Sequence, residues 1–134
     1  MGARRDLEDN YDFEIVDEFL DHYAMMVEIM EPLIIELGKE ERYNHALDEL
    51  FRIFHNIKSA AGFLNIEPMV RLSTFVESSL EAMRFQEGPA NEDVLNWLIA
   101  VNDTYIQWQE DLKLDNTMTK IKFKLLKLPD METI

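Results

Sequence analysis

Apolar residues recur every three or four positions along most of this chain, which is the spacing of one buried face of an α-helix. This spacing fills four stretches, which cover positions 12–37, 44–64, 68–86 and 91–113. Gly and Pro number only 4 each, and five of these eight residues lie outside these stretches. The pattern predicts four amphipathic helices with short connections, and hence an all-α, antiparallel up-down four-helix bundle.

Local signals place the ends of the predicted helices. Gly38 ends the first helix, Pro68 stands in the first turn of the third, and Asn91 is a favourable cap for the fourth. Pro32 lies inside the first helix and lacks a backbone donor, so we expect a kink or a local break near residues 30–32.

The two ends of the chain follow the pattern less closely. Residues 1–11 contain no apolar stretch and are expected to form a flexible leader. Residues 114–134 have apolar positions at helical spacing, but 120–125 also alternate between lysine and apolar residues as a strand would. We favour a short fifth helix over the strand. The predicted organisation is a leader (1–11), a bundle domain (12–113) and a C-terminal helix or linker (114–134).

Composition narrows the classes of function. The formal net charge of -14 makes nucleic acid a poor partner, because an acidic surface repels phosphate backbones. No apolar run approaches the roughly 20 residues that cross a bilayer, so we expect no membrane partner. The chain has no Cys, which excludes a thiolate metal site and is compatible with the reducing cytoplasm. Its 134 residues are enough for one domain with one core.

One histidine in the second predicted helix has an informative set of neighbours. The residues three, four and seven positions after His55 are Lys58, Ser59 and Gly62. They supply one cation and two positions with almost no side chain. His55 is rotated by about 100° from the apolar Phe54, which places it at the edge of the buried face. A second protein could therefore approach this imidazole closely.

The segment from Phe54 to Leu64 resembles the phosphorylation helix of histidine phosphotransfer (Hpt) domains. It is most similar to the N-terminal domain of chemotaxis-type histidine kinases, whose motif reads His-x-x-Lys-Gly-x-x-Gly-Phe. The resemblance extends over about residues 16–112 and is most specific over 51–77. It implies a phosphocarrier of a two-component phosphorelay, in which His55 holds a phosphoryl group between a kinase and the aspartates of receiver domains.

The resemblance also assigns roles to neighbouring residues. Glu77, on the third predicted helix, matches the glutamate that accepts a hydrogen bond from the phosphorylated imidazole. Helical geometry agrees, since Glu77 follows the apolar Val76 and so lies at the edge of the buried face. Lys58 is expected to neutralise charge on the phosphoryl oxygens during transfer.

Three further positions are expected to face the docking partner. Ser59 and Gly62 are small enough to let the partner close over the phosphoryl group. Ser59 stands where the family usually has Gly, and Thr74 stands where chemotaxis-type members often have a second His. The hydroxyl at either position can donate a hydrogen bond. His55 remains the expected nucleophile.

The expected partners follow from what the sequence lacks. It has no Gly-rich nucleotide loop, so we expect a carrier rather than an enzyme, with ATP bound by a separate histidine kinase catalytic domain. No cofactor is expected on the chain itself, and Mg²⁺ would come with the receiver domain. We expect a monomer in the cytoplasm.

Two alternatives stay open beside the phosphocarrier. The bundle could dock a receiver or kinase domain without transferring a phosphoryl group. It could also hold a di-iron site, which requires Glu-x-x-His pairs that project into the core. No histidine of the chain has a Glu three positions before it, so we expect no metal site.

Overall fold

The computed structural model describes residues 2–129 and is helical in all its regular parts. The described range contains five α-helices, which are α1 (Ala3–Asn10), α2 (Phe13–Leu37), α3 (Tyr43–Phe63), α4 (Glu67–Met83) and α5 (Glu92–Lys113). Two 3₁₀ turns cover Glu40–Arg42 and Phe123–Leu126, and no strand occurs within residues 2–129. The predicted all-α class is confirmed, and helices α2 to α5 correspond to the four predicted helices.

Helices α2 to α5 form the bundle. α3 packs against both α2 and α4, and α2 also packs against α5. The Tyr43 hydroxyl at the start of α3 donates to the carbonyl of Met83 at the end of α4 (3.0 Å). The N–H of Ala90, just before α5, donates to the carbonyl of Leu37 at the end of α2 (2.9 Å). The start of one helix therefore lies beside the end of its neighbour, as the antiparallel arrangement requires.

Aromatic side chains from three helices fill the centre of the bundle. The fully buried ring of Tyr105 contacts those of Phe54, Trp108 and Tyr23, with centroids 5.3, 5.0 and 6.4 Å away. Its polar atoms are also paired. The Tyr105 carbonyl accepts a hydrogen bond from the Tyr23 hydroxyl (2.6 Å), and its own hydroxyl is hydrogen-bonded to Ser73 of α4 (2.6 Å). These hydrogen bonds satisfy the polar groups that the cluster buries. Because Ser73 adds α4 to the three helices that supply the aromatic rings, the cluster joins all four bundle helices.

Helix α2 continues through Pro32 without interruption. The expected local break is therefore absent. Pro32 lies on the exposed side of the helix. The carbonyl of Glu28, which has no N–H partner at position 32, can be hydrated on that side, so the helix tolerates the proline.

The leader predicted for residues 1–11 contains helix α1 in the structure. The Leu7 side chain is buried, and the N–H of Ala3 donates to the carbonyl of Asn116 (2.9 Å). The N–H of Arg5 donates to the carboxylate of Asp115 (3.0 Å). One apolar residue and two bonds to the chain beyond α5 hold this helix. Such distant partners cannot be read from the leader itself.

Residues 116–128, which we call the C-terminal strap, form much less helix than predicted. Only Phe123–Leu126 makes a 3₁₀ turn. The indole N–H of Trp108 donates to the Thr119 carbonyl (2.8 Å), and that of Trp97 donates to the Leu125 carbonyl (2.9 Å). These bonds to α5 replace the backbone bonds of a longer helix. Residues 130–134, the end of the predicted segment, lie outside the described residues.

Candidate functional site

His55 lies near the middle of α3 at the edge of its buried face. Phe54 and Ile57 are fully buried, whereas 52% of the His55 side chain is exposed. The apolar stripe of α3 fixes this orientation, because turning His55 inward would expose the stripe. The imidazole is therefore held by a rigid helix and is still open to a partner.

Glu77 of α4 binds one nitrogen of this imidazole. Its Oε1 lies 3.2 Å from His55 Nδ1. A carboxylate can only accept a hydrogen bond, so this pairing places the proton of the neutral ring on Nδ1. Nε2 then has a lone pair, and it makes no hydrogen bond to any residue of the range 2–129. The prediction that Glu77 lies beside His55 agrees with this geometry.

Lys58 contacts the other oxygen of the same carboxylate. Its Nζ lies 2.7 Å from Glu77 Oε2, which is the distance of a close salt bridge. Oε2 is buried and makes no well-aligned hydrogen bond, so the ammonium charge is its main compensation. Burial raises the pKa of Glu77, but the contacts from Lys58 and His55 together outweigh it and hold that pKa below the usual value. Glu77 is therefore ionised at neutral pH.

Phe51 and Arg84 extend this cluster and were not among the predicted site residues. The Phe51 ring lies one turn before His55, nearly parallel to the imidazole (10°), with centroids 6.3 Å apart. The Arg84 guanidinium lies 4.9 Å from the Phe51 centroid and binds Asp48 of α3 at 2.6 Å. Their spacing in the sequence could have indicated two of these residues, because Phe51 and Asp48 precede His55 by one and two helical turns and so lie on the same face of α3.

Ser59 and Gly62 lie on the exposed surface after His55, and neither makes a hydrogen bond to Glu77. A Cβ atom added to Gly62 would meet nothing within 4 Å, so the fold itself does not require glycine there. The Ser59 hydroxyl makes no hydrogen bond within residues 2–129, and the neighbouring Phe63 is 65% exposed. Together these residues leave an open approach to the imidazole.

Thr74 is exposed on α4, one turn before Glu77. Its hydroxyl donates to the Val70 carbonyl of its own helix (2.7 Å) and makes no hydrogen bond to His55. The structure therefore brings both His55 and Lys58 into contact with Glu77, whereas the three predicted docking positions make no hydrogen bond to that carboxylate.

The described part of the chain contains neither a metal-binding cluster nor a membrane-spanning helix. No group of three His, Cys, Asp or Glu side chains within residues 2–129 is arranged to hold a metal ion. None of the helices in this range is long and apolar enough to span a membrane.

Comparison with known proteins agrees with the site geometry. The family model described as the Hpt domain matches residues 14–117, which is most of the chain. A curated relative, the chemotaxis protein CheA of Borreliella burgdorferi (strain ATCC 35210 / DSM 4680 / CIP 102532 / B31), is 26% identical over 117 residues. The match covers 84% of this chain but only 13% of that relative. No solved structure matches.

The resemblance stated from the sequence is thereby confirmed, including its closeness to the chemotaxis-type kinases. The chain belongs to the Hpt domain family, whose members are the histidine phosphotransfer modules of two-component phosphorelays and interact there with kinases and receiver domains.

Proposed function

We propose that this domain carries the phosphoryl group on Nε2 of His55. The observation that supports this most directly is the contrast between the two ring nitrogens. Nδ1 is held 3.2 Å from an ionised carboxylate, and Nε2 belongs to a half-exposed side chain without a hydrogen bond in the described chain. This arrangement gives a nucleophile of defined tautomer that a partner can reach.

The transfer step follows from this tautomer. The Nε2 lone pair attacks phosphorus, the bond from phosphorus to the donor oxygen breaks, and that oxygen keeps the electron pair. The imidazole gains positive charge, which Glu77 stabilises through the Nδ1 proton. In the onward step an aspartate oxygen of the receiver attacks phosphorus, the P–N bond breaks, and its electron pair returns to Nε2.

Lys58 serves both the resting and the phosphorylated site. In the resting site its ammonium compensates the buried Oε2 of Glu77 at 2.7 Å. Its side chain is 31% exposed, so it has room to turn toward phosphoryl oxygens during transfer. A cation at this place offsets the charge that the incoming phosphoryl group brings.

The remaining chemistry belongs to the partners. Because the sequence has no nucleotide-binding loop, we assign ATP to a kinase catalytic domain and Mg²⁺ to the receiver domain. The domain itself then acts as a phosphocarrier without an enzymatic activity of its own. We also propose that it works as a monomer in the cytoplasm, where ATP-dependent kinase domains are supplied.

A labelling experiment tests the assignment of His55. The domain is incubated with a radiolabelled, phosphorylated receiver domain, and acid-labile label on the domain is measured and located by mass spectrometry. We expect His55→Gln to abolish the label. His45→Gln, a change of an exposed histidine on the same helix, is the matched control and should be labelled like the wild type.

Two outcomes would contradict the proposal in different ways. If His55→Gln accepts label like the wild type, His55 is not the carrier residue. If the wild type takes no label but binds the receiver, and His55→Gln binds equally well, the domain is a docking module without transfer.

A further inference from the structure

Four cations form a continuous surface that we call the cationic rim. Its members are Arg71 of α4 and Lys120, Lys122 and Lys124 of the C-terminal strap, all of them exposed. None of the four has a salt bridge or a side-chain hydrogen bond within residues 2–129. Such unneutralised cations stand out on a chain whose formal net charge is -14.

The cationic rim begins beside the phosphotransfer site. Gly62 and Arg71 line one surface depression, and Arg71 and Lys120 line the next. Lys120 then shares a third depression with Lys122 and Lys124. Gly62 is two helical turns, or about 10 Å, beyond His55 on α3. A partner centred on His55 can therefore reach the rim without crossing a separate surface.

Acidic residues reduce the charge of the rim but do not cancel it. Glu67 lines the first two depressions and Asp103 lines the third, so four cations face two carboxylates. The lysines are also held in place, because Trp108 and Trp97 bind the strap backbone at Thr119 and Leu125. The rim is thus a positioned charged surface.

Helix α2 shows the opposite charge. It carries seven acidic residues and no Lys or Arg between Phe13 and Leu37. The domain is therefore strongly polarised in charge. Two partners of opposite charge would be attracted to different sides of the bundle.

We propose that the cationic rim binds the acidic surface of the receiver domain and speeds its docking at His55. This inference rests on the proposed function. A receiver site must combine an acceptor aspartate with carboxylates that hold Mg²⁺, so its mouth is acidic. A kinase nucleotide site instead presents cations to a polyphosphate, and the rim would repel it. Charge complementarity therefore favours the receiver as the occupant.

The rim is tested by charge reversal at two of its cations. Arg71→Glu/Lys120→Glu is compared with Lys39→Glu. Lys39 is an exposed cation that has no ion pair with any residue of the described range 2–129, and it lies in the loop before α3, at the opposite end of that helix from Gly62. Association with a receiver that accepts the phosphoryl group from the wild type is measured by stopped flow over a range of ionic strengths. We expect the double variant to associate at least about tenfold more slowly at low ionic strength, with a weaker salt dependence. Lys39→Glu should associate nearly as fast as the wild type.

The readouts separate failure of the rim from failure of the proposed function. Labelling of His55 by the kinase, and transfer at saturating receiver, should be unchanged in the double variant, which also shows that it is folded. If the double variant and the wild type have equal association rates and equal salt dependence, the proposal that the cationic rim binds the receiver is wrong. If the double variant is impaired only in labelling by the kinase, the proposal is also wrong, because the rim would then bind the kinase and not the receiver. Absence of transfer in the wild type would instead refute the phosphocarrier.

Discussion

Glu77 of α4 and Asp111 of α5 are both largely buried carboxylates, and they differ in the groups that surround them. Asp111 accepts hydrogen bonds from the backbone N–H and the hydroxyl of Thr119 (2.7 and 2.6 Å) and from the Gln107 amide (3.2 Å). Glu77 instead contacts the side chains of His55 and Lys58, both partly exposed. In each case burial raises the pKa, and the polar partners outweigh it and lower that pKa overall.

The difference separates a structural carboxylate from a functional one. The partners of Asp111 are neutral donors, including a backbone group of the strap, so its bonds hold two parts of the fold together. The partners of Glu77 can change their charge or move when the imidazole is phosphorylated. We therefore expect changes at Asp111 to affect mainly folding stability, and changes at Glu77 to affect mainly the reaction.

The largest effect is expected from Asp111→Ala. The change removes three hydrogen bonds to a charged group, two of them from Thr119 and one from Gln107, so we expect a loss of about 3 kcal/mol in the free energy of unfolding. Urea denaturation measures it. Asp103→Ala, a change of an exposed residue on the same helix, should stay within about 0.5 kcal/mol of the wild type.

The pH dependence provides a second measurement on Asp111. Because its folded pKa is lowered, ionised Asp111 stabilises the fold above the ordinary aspartate pKa of about 4, and this contribution is lost as the pH falls through the folded pKa. The stability difference between the wild type and Asp111→Asn should therefore shrink in acid. A difference that stays constant from neutral pH into acid would contradict the role assigned to the charge.

A smaller effect, confined to the reaction, is expected from Glu77→Gln. The amide keeps the shape but loses the charge that orients Nδ1–H and stabilises the phosphorylated ring, so phosphorylation of His55 should slow by about tenfold. Initial labelling rates measure this, and ¹⁵N chemical shifts of the imidazole report the tautomer. Glu81→Gln, one turn further along α4, is the control. An unchanged rate together with an unchanged tautomer would show that Glu77 does not position His55.

The smallest expected effect comes from Gly62→Ala. Alanine favours helix over glycine and its Cβ meets nothing within 4 Å, so the free energy of unfolding should rise by about 0.5–1 kcal/mol. Transfer to the receiver should nevertheless slow, because the methyl group lies in the path of the partner. Thermal unfolding and single-turnover transfer test the two halves separately. A faster or unchanged transfer would mean that the glycine has no docking role.

Helix ends show how far local patterns determine this fold. Gly38, Pro68 and the capping residue Asn91 were placed correctly from local signals, and Asn91 caps α5 by accepting from the N–H of Val94 (2.9 Å). The apolar pattern placed the ends of α3 and α5 within one residue, at 64 and 113 against the observed Phe63 and Lys113. Asn65 and Asp115, each with φ of 57°, take the left-handed conformation that glycine often adopts after a helix. Asn and Asp adopt it more readily than other non-glycine residues, so these ends need no glycine.

The sequence by itself determined the four bundle helices and the alignment of His55, Lys58, Ser59 and Gly62, because helical periodicity acts over a few residues. Glu77 was placed by the same periodicity together with the family resemblance. Only the tertiary structure decided which groups meet across helices. The contact of Arg84 with Phe51, the bonds of Asp111 to Thr119 and the closeness of Gly62 to the cationic rim all join residues from different segments. Packing of the core sets these distances, and no local pattern encodes them.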